Sequence, residues 1–466
     1  MVLSLAVAST SSTFQPTQLY TFFLIHVFPL LTFPRILPRT PTTVRLTMSK
    51  PLTSKILNST VIVAGLGYFV DIYDLQLFNI IGKESIQSPA GLNVSDPLQV
   101  ANLFDNNLFY WQMAGMLVGG LFWGIYGDRK GRKSILFGSI LMYSVANLLN
   151  AFVTTVEQYQ TVRFLAGLGL AGELGAAITL VSEIMTKENR GWGTAIIVTL
   201  GALGAVAAAL IANFKIALFG LEAWQTAYII GGVLGLLLLL LRFGTFESGM
   251  FEQLEKKDPS RGNFFMLFQD RERFFKYLHC ISIGLPVWFV LGTLVKRAPG
   301  YAEHIGTATP VSVATAVMMA YLGLSIGDLF SGFLSQVMRS RRKVVLIYLI
   351  LSMTTTMVYV FSPTLSASGF YILIFILGVS TGYWALFVTI ASEQFGTNIR
   401  ATATTTIPNF VRGAVIPIGV SFAALLSQTS SLVSATLIVG GVCFGLAIFS
   451  ILSLPETFGK SLDYLE

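Results

Sequence analysis

Charge is scarce in this sequence. Only 11% of its 466 residues are Asp, Glu, Lys or Arg, whereas 54% are hydrophobic. So little charge excludes an ordinary soluble domain and predicts an integral membrane protein that contacts the lipid bilayer. The net charge of +7 comes from 30 Lys and Arg against 23 Asp and Glu. Because the cations lie in short polar intervals, we interpret them as determinants of membrane topology and not as a nucleic-acid surface.

Cysteine and histidine are also rare. Cys280 and Cys443 lie inside apolar runs, and His26, His279 and His304 are far apart in the sequence. This pattern offers no disulfide framework and no Cys/His cluster for a metal ion. The sequence also lacks a phosphate-binding glycine loop and a nucleophile elbow. ATP-driven transport and hydrolysis are therefore disfavoured, and we expect neither enzymatic activity nor a cofactor.

Long apolar runs dominate the sequence. From about residue 58, twelve segments are long enough to cross a hydrocarbon layer of about 30 Å. They cover residues 58–81, 106–126, 134–154, 158–181, 191–213, 223–241, 277–295, 310–336, 344–362, 369–391, 401–426 and 432–454. We predict an all-α membrane protein of two six-helix halves, 58–242 and 277–455, with a charged loop at 243–276 and a tail at 456–466.

The first 57 residues differ from the rest. They are rich in Ser, Thr and Pro, and their apolar run from Leu19 to Leu31 is short and contains Pro29. We interpret this extension either as a targeting leader or as sequence upstream of a true start at Met48.

The cations predict the orientation in the membrane. If the N-terminus and the ends of the even-numbered helices share one side, 24 of the 30 Lys and Arg residues fall there. The excess of cations in cytoplasmic loops then places both termini in the cytoplasm, with the protein in a plasma or inner membrane.

An internal repeat supports two halves of six helices. A shift of 210 residues superposes Gly172 on Gly382. The same shift superposes Glu183 and Arg190 on Glu393 and Arg400, so that Glu-x6-Arg recurs at one place in each half.

A polar turn between the second and third segments is the most informative motif. It extends from Gly124 to Lys133 and contains one acid, four cations and three glycines. Such a stretch cannot lie in hydrocarbon and must form a turn at a membrane face. Its spacing of Gly124, Asp128 and the basic-x-Gly-basic-basic run resembles the signature loop of the major facilitator superfamily of secondary transporters.

Two further motifs strengthen this resemblance. They are Arg163-Phe-Leu-x-Gly167-x-Gly169 in the fourth segment and Pro455-Glu456-Thr457-x-Gly459-Lys460 after the last, which looks like the exit motif of sugar and organic-ion porters. The resemblance implies a monomeric transporter that alternates access between two pseudo-symmetric halves, with its substrate site near the midplane. It also implies a cytoplasmic gate formed by Gly124, Asp128, Arg129, Gly131, Arg132, Glu183, Arg190, Glu393 and Arg400.

Acids inside the spans are candidates for proton coupling. Asp71 and Asp74 in the first segment are three residues apart and share a helix face, which we expect to line a cavity. Glu173 lies in the middle of the fourth segment among glycines. Alternatively, the three are structural acids held by hydrogen bonds.

Asp71-x-Tyr73-Asp74 also resembles the first helix of phosphate:proton and metabolite:proton symporters. The phosphate resemblance weakens elsewhere, since Gly172-Glu173-Leu174-Gly175 stands where that family carries Gly-Asp-Tyr-Pro. The Gly-Glu form looks more like organic-ion porters of the niacin-transporter branch.

Arg412 is the candidate for binding an anion. It follows Pro408 and Asn409 in the eleventh segment, where two prolines nine residues apart predict a kinked helix beside the cavity. Its guanidinium suits a carboxylate or phosphate, or else neutralises one of the buried acids. The other substrate-binding candidates are Asn409, Tyr73, Gln76, Trp288 and Tyr383.

We therefore expect a secondary transporter that carries a small organic metabolite together with protons. The alternatives are a phosphate:proton symporter, a sugar or polyol transporter in which the acids bind hydroxyls, and a receptor-like protein of the same fold that transports nothing.

Overall fold

The computed structural model describes residues 59–130, 132–184, 190–245, 264–396 and 399–460. Within these ranges the regular structure is entirely helical. Eleven helices are long and apolar enough to cross a membrane, and the apolar stretch Ser134–Asn150 is a shorter twelfth. The predicted all-α fold of twelve spans is confirmed. The predicted amino-terminal extension 1–57, the middle of the 243–276 loop and the last six residues lie outside the described residues.

We number the twelve membrane helices α1 to α12. Their bounds are α1 Ser59–Gln87, α2 Leu108–Lys130, α3 Arg132–Asn150, α4 Val156–Leu170 and Glu173–Ile184, α5 Arg190–Asn213, α6 Ala223–Thr245, α7 Arg271–Phe289, α8 Val313–Met338, α9 Arg341–Phe361, α10 Ala367–Thr381 and Trp384–Glu393, α11 Arg400–Gly413 and Val415–Thr429, and α12 Leu432–Ser453. A π-helical turn, Leu103–Asn107, precedes α2, and another, Val290–Val295, continues α7.

Side chains of Ser, Thr and Asp begin several of these helices. Ser340, Ser366 and Ser431 accept hydrogen bonds from the first-turn amides of α9, α10 and α12. Thr155 and Gln158 form a capping box at the start of α4. These caps satisfy amides that have no partner within the helix, so they fix where each span begins.

Glycines bring helices close together in the same way in both halves. A Cβ at Gly167 of α4 would collide with the Gln112 carbonyl of α2, and a Cβ at Gly378 of α10 with the Ala320 carbonyl of α8. The hydrophobic effect does not drive helices together inside a bilayer, so they associate through close packing of this kind. The α2–α4 and α8–α10 pairs are thus built alike.

Three helices predicted as continuous are interrupted: α11 at Ala414, and α4 and α10 at corresponding places in the two halves. The gaps, Ala171–Gly172 in α4 and Gly382–Tyr383 in α10, are about 210 residues apart. Asp328 on α8 accepts a hydrogen bond of 2.9 Å from the Ala385 amide, so it caps the second segment of α10. Interrupted helices present free backbone groups to the middle of the fold, where protein side chains or a ligand can satisfy them.

Candidate functional site

An ion pair at the centre of the molecule joins the two halves. Arg412 lies at the end of the first segment of α11, and its Nη2 is 3.4 Å from Asp71 Oδ2 on α1. Both side chains are 0% exposed. The same nitrogen donates a hydrogen bond of 3.2 Å to the Tyr68 hydroxyl. Because a buried guanidinium is costly without an opposite charge, this pair ties the halves together in the structure.

Asn409 connects Arg412 to the interruption of α4. Its Oδ1 accepts a hydrogen bond of 3.4 Å from Arg412 Nη1, and its Nδ2 donates 2.8 Å bonds to the carbonyls of Ala171 and Thr405. Ala171 is the C-cap residue that directly follows the first segment of α4. Asn409 therefore satisfies a carbonyl that the interrupted helix leaves free, and it fixes Arg412 against the amino-terminal half.

A cluster of aromatic side chains is connected to this ion pair through Tyr68. Trp384 Nε1 donates a hydrogen bond of 3.1 Å to the Tyr68 hydroxyl. The Trp384 ring lies 6.5 Å from that of Trp288 on α7 and 4.8 Å from that of Phe387, measured between ring centroids. These flat, largely apolar surfaces are suited to hold a ring.

The remaining predicted substrate residues divide into two groups. Gln76 Nε2 donates a 2.7 Å hydrogen bond to the Tyr321 hydroxyl on α8, so Gln76 lies between the halves. Tyr73 donates to the Ala227 carbonyl on α6 and Tyr383 to the Ile283 carbonyl on α7, both at 2.9 Å. Each of these two tyrosines therefore points into its own half and away from the central pair.

Asp71 and Asp74 occupy different surroundings, although the sequence puts them on one helix face. Asp74 faces α6, where a Cβ at Gly231 would collide with Oδ1, and its electrostatic neighbours include Arg163 and Asn147. Neither carboxylate oxygen of Asp74 has a hydrogen-bond partner, and the residue is 1% exposed. Three residues turn a helix by about 300°, which is less than a full turn. The side chains of Asp71 and Asp74 therefore point in somewhat different directions and can contact different helices. Asp71 meets the other half, and Asp74 lies inside its own.

Glu173 forms a salt bridge with Arg242 at the end of α6, and both side chains are buried. Arg242 Nη1 also donates to Glu173 Oε2 at 3.1 Å. A Cβ at Gly67 of α1 would collide with both groups, so the pair is enclosed by three helices of the amino-terminal half. The sequence left open whether Glu173 is a proton site or a structural acid; in the structure its partner is a cation from its own half.

The sequence matches the profile of the Major Facilitator Superfamily over residues 64–419. The chain belongs to the Major Facilitator Superfamily. It is therefore a multi-pass membrane transporter and not an enzyme, as the signature turn and the twelve spans predicted. This assignment rests on a match that covers well over half of the chain and on the fold already described.

Individual relatives of this facilitator carry metabolite-transporter names. It is 26% identical over 407 residues to the "Probable 4-methylmuconolactone transporter" of Cupriavidus pinatubonensis, covering 85% of this chain and 90% of that protein. It is 39% identical over 119 residues to the niacin transporter NiaP of Acinetobacter baylyi, but that match covers only 26% of either chain.

A solved structure shares the fold. The proton:xylose symporter XylE, bound to 6-bromo-6-deoxy-D-glucose, superposes with a TM-score of 0.67 at 15% identity and covers 88% of this chain and 98% of its own. At that identity the likeness concerns the fold alone.

We call the end of the facilitator that carries the Gly124–Lys133 turn the basic face. There α2 lies against α11, since a Cβ at Gly124 would be 3.3 Å from Thr402 Cα, and the Thr402 hydroxyl donates to the Gly124 carbonyl at 3.3 Å. Glu393 pairs with Arg341 at 2.8 Å, both buried within the carboxy-terminal half. Arg400 is buried nearby and Arg129 is exposed.

The other five predicted gate residues lie wholly or in part outside the described residues. Gly131 lies outside the described residues, as do the side chains of Asp128, Arg132, Glu183 and Arg190. The gate role of all nine predicted residues stays a prediction.

At the opposite face, Lys296 crosses from one half to the other. It follows the π turn of α7, and its Nζ is 3.4 Å from Asp105 Oδ1 and 3.2 Å from the Phe104 carbonyl. The ammonium also lies 4.4 Å and 4.1 Å from the ring centroids of Phe104 and Phe109. Both ends of the interface are therefore in contact, and the central pair is enclosed between them.

Sequence reasoning missed three residues of these clusters. Arg242 was assigned to the boundary of the central loop, although a lone cation ending an uncharged span is a signal for a buried partner. Lys296 is one of the six Lys and Arg residues outside the set of 24 that share one side, and nothing near it in the sequence indicates its partner. Tyr68 lies three residues before Asp71, and this spacing puts its hydroxyl group on the same helix face as the Asp71 carboxylate.

Proposed function

We propose that this transporter imports a small organic anion, a carboxylate that bears a ring, together with a proton. The basic face is then cytoplasmic, and the conformation described here is a closed intermediate between outward-facing and inward-facing states. The transporter works as a monomer that alternates access by moving its halves about the central site.

The observation that carries this proposal is the buried pair between Arg412 and Asp71. A guanidinium binds a carboxylate through two parallel hydrogen bonds, and Asp71 supplies that carboxylate when substrate is absent. If Asp71 takes up a proton, Arg412 becomes available to the carboxylate of the substrate. The buried charge is the same before and after this exchange, so one proton accompanies each anion and neither ion is left unpaired.

The aromatic surroundings support a ring in the substrate. Tyr68 contacts Arg412, and Trp384 bonds to Tyr68. Trp288 and Phe387 pack against Trp384 and extend this aromatic cluster. Stacking and edge contacts with such side chains favour flat, partly apolar molecules. The niacin transporter among the relatives agrees with this choice, because niacin is an aromatic carboxylate.

Uptake into proteoliposomes tests the proposal. With an inward proton gradient and a pH-sensitive dye inside, wild-type protein should accumulate nicotinate or benzoate and acidify the lumen in proportion. Phosphate and xylose should give neither signal. Anion uptake without acidification would refute symport, uptake of phosphate or xylose alone would favour the corresponding alternative, and no flux for any solute would favour a receptor.

Replacing Asp71 tests the exchange of partners. In Asp71→Asn the residue no longer takes up a proton, so accumulation driven by the proton gradient should be lost while exchange of nicotinate across the membrane persists. Asp96→Asn is the matched control, because Asp96 caps a short helix at the opposite face and asparagine caps equally well. Normal gradient-driven accumulation in Asp71→Asn would contradict the mechanism.

A further inference from the structure

A chain of hydroxyl groups runs through the amino-terminal half. The Ser85 hydroxyl on α1 is 2.9 Å from the Tyr159 hydroxyl on α4, which is 2.8 Å from the Tyr228 hydroxyl on α6. All three side chains are 0% exposed. Nothing in the exchange between Asp71 and the substrate carboxylate uses these groups. Three hydroxyls in sequence can pass a proton, because each is both a donor and an acceptor.

The outer end of the chain lies beneath the face opposite the basic face. Ser88 is one helical turn beyond Ser85, and its hydroxyl donates a 2.6 Å hydrogen bond to the carboxylate of Glu222. Glu222 is exposed and also accepts from Trp224 Nε1 at 2.9 Å. A solvated carboxylate therefore stands one turn above the first buried hydroxyl, where it can concentrate protons from water.

The inner end of the chain leads to Asp74. Arg163 lies within electrostatic reach of both Tyr228 and Asp74. The Asn147 side chain is a polar neighbour of the Asp74 carboxylate. Both groups are buried, and no hydrogen bond of good geometry satisfies their oxygen and nitrogen atoms. Buried polar atoms are normally paired with protein or with ordered water, so this site is suited to a water molecule between Tyr228 and Asp74.

We infer that protons reach Asp74 through Ser85, Tyr159 and Tyr228, by a route inside the amino-terminal half that is separate from the substrate path. The Ser85 hydroxyl donates to the Gly82 carbonyl at 2.8 Å, so it must first turn towards Tyr159. A proton that Ser85 accepts from water is then matched by transfer of its own proton to Tyr159. Tyr159 passes a proton to Tyr228, and Tyr228 passes one through the water molecule to the Asp74 carboxylate. Rotation of the three hydroxyls restores the chain. Asp74, one turn from Asp71, then supplies the proton that releases Arg412.

The inference rests on the proposed proton coupling. Titratable and charged groups face Asp74 from its own helix and from each helix around it. They are Asp71 and Tyr73 on α1, Tyr143 on α3, Arg163 on α4 and Tyr228 on α6. Among these groups only Tyr228 belongs to the hydroxyl chain. A substitution of Tyr228 therefore interrupts the proposed proton route and leaves the other groups around Asp74 in place.

The test compares Tyr228→Phe and Ser85→Ala with wild type in proteoliposomes. Gradient-driven nicotinate uptake should fall roughly tenfold or more, since a positioned proton donor contributes factors of this size. Nicotinate exchange at equal pH should stay within about twofold, because exchange requires no proton movement. The control is Tyr301→Phe, which removes an equally buried hydroxyl, bonded to Thr436, from the other half. Its two rates should both match wild type.

The outcomes separate the route from the function. If wild type shows no proton flux with nicotinate, the proposed function fails. If wild type couples but both variants keep full gradient-driven uptake, the route is wrong and the function stands. Parallel loss of uptake and exchange in both variants would assign the hydroxyls to structure alone and would overturn the inference.

Discussion

The two halves share one architecture but differ in the charges they bury. At corresponding interruptions, the amino-terminal half has Glu173 paired with Arg242, whereas the carboxy-terminal half has Tyr383 bonded to a backbone carbonyl. A shift of 210 residues also places Ile281 and Gly284 where α1 has Asp71 and Asp74. Under the proposed mechanism, the amino-terminal half takes up the protons and the carboxy-terminal half contributes Arg412 to the substrate.

The largest effect is expected from removing the one cation that the carboxy-terminal half brings to the centre. Arg412→Gln should lower nicotinate uptake at least about 100-fold, because it removes charge-assisted hydrogen bonds and leaves Asp71 buried without its partner. Arg412→Lys should retain measurable uptake. Uptake rates are compared with those of Arg339→Gln, which removes an exposed cation. Uptake of nicotinate by Arg412→Gln at the wild-type rate would show that Arg412 does not bind the substrate.

The Glu173–Arg242 pair tests whether the interior charges of the amino-terminal half serve the fold. Glu173→Gln should lower the free energy of unfolding by about 3 kcal/mol, because it leaves the buried guanidinium of Arg242 without an opposite charge. Adding Arg242→Met should restore most of that loss. Thermal unfolding in detergent measures both, and Tyr383→Phe at the corresponding position should cost only about 1 kcal/mol. An unchanged melting temperature in Glu173→Gln would show that the pair adds no stability.

Lys296 tests how the halves separate at the face opposite the basic turn. Burial lowers the pKa of Lys296 to about 8, although Asp105 opposes this effect. An exposed lysine has a pKa of about 10.4, so between these values the closed state binds fewer protons than an open one. Rising pH should therefore favour closure from about pH 8 upwards, with little change below it.

Spin labels at the exposed residues Glu84 and Glu303, in a protein whose two cysteines are replaced, would report this separation. The inter-label distance should shorten with rising pH in the parent protein and not in Lys296→Met. The same response in both proteins would assign the pH dependence to other groups.

The smallest effect is expected at the basic face of the carboxy-terminal half. Glu456 accepts hydrogen bonds from the Ser340 hydroxyl and from the amides of Arg341 and Arg342, so the exit motif holds the start of α9. Burial opposes ionisation of Glu456, but its hydrogen bonds outweigh it and lower the pKa overall. A lowered carboxyl pKa gives stability that is present above the unfolded pKa of about 4.3 and is lost as pH falls through the folded value.

Glu456→Gln should accordingly cost about 1 kcal/mol near neutral pH and less in acid. Thermal unfolding at pH 7 and pH 4 measures the difference. An equal cost at both pH values would show that the carboxylate charge contributes nothing.

The sequence by itself determined the twelve spans, the family and the list of ionisable residues that lie within the membrane. The length of an apolar run and the polar turn at Gly124–Lys133 can be read from neighbouring residues alone. The bilayer requires such apolar spans and polar turns whatever the arrangement of the helices. Only the tertiary structure decided the partners. Arg412 and Asp71 are 341 residues apart, and Arg242 and Glu173 are 69 apart. Pairing at such separations depends on which helix faces meet, and one turn separates Asp71 at the interface from Asp74 inside its own half.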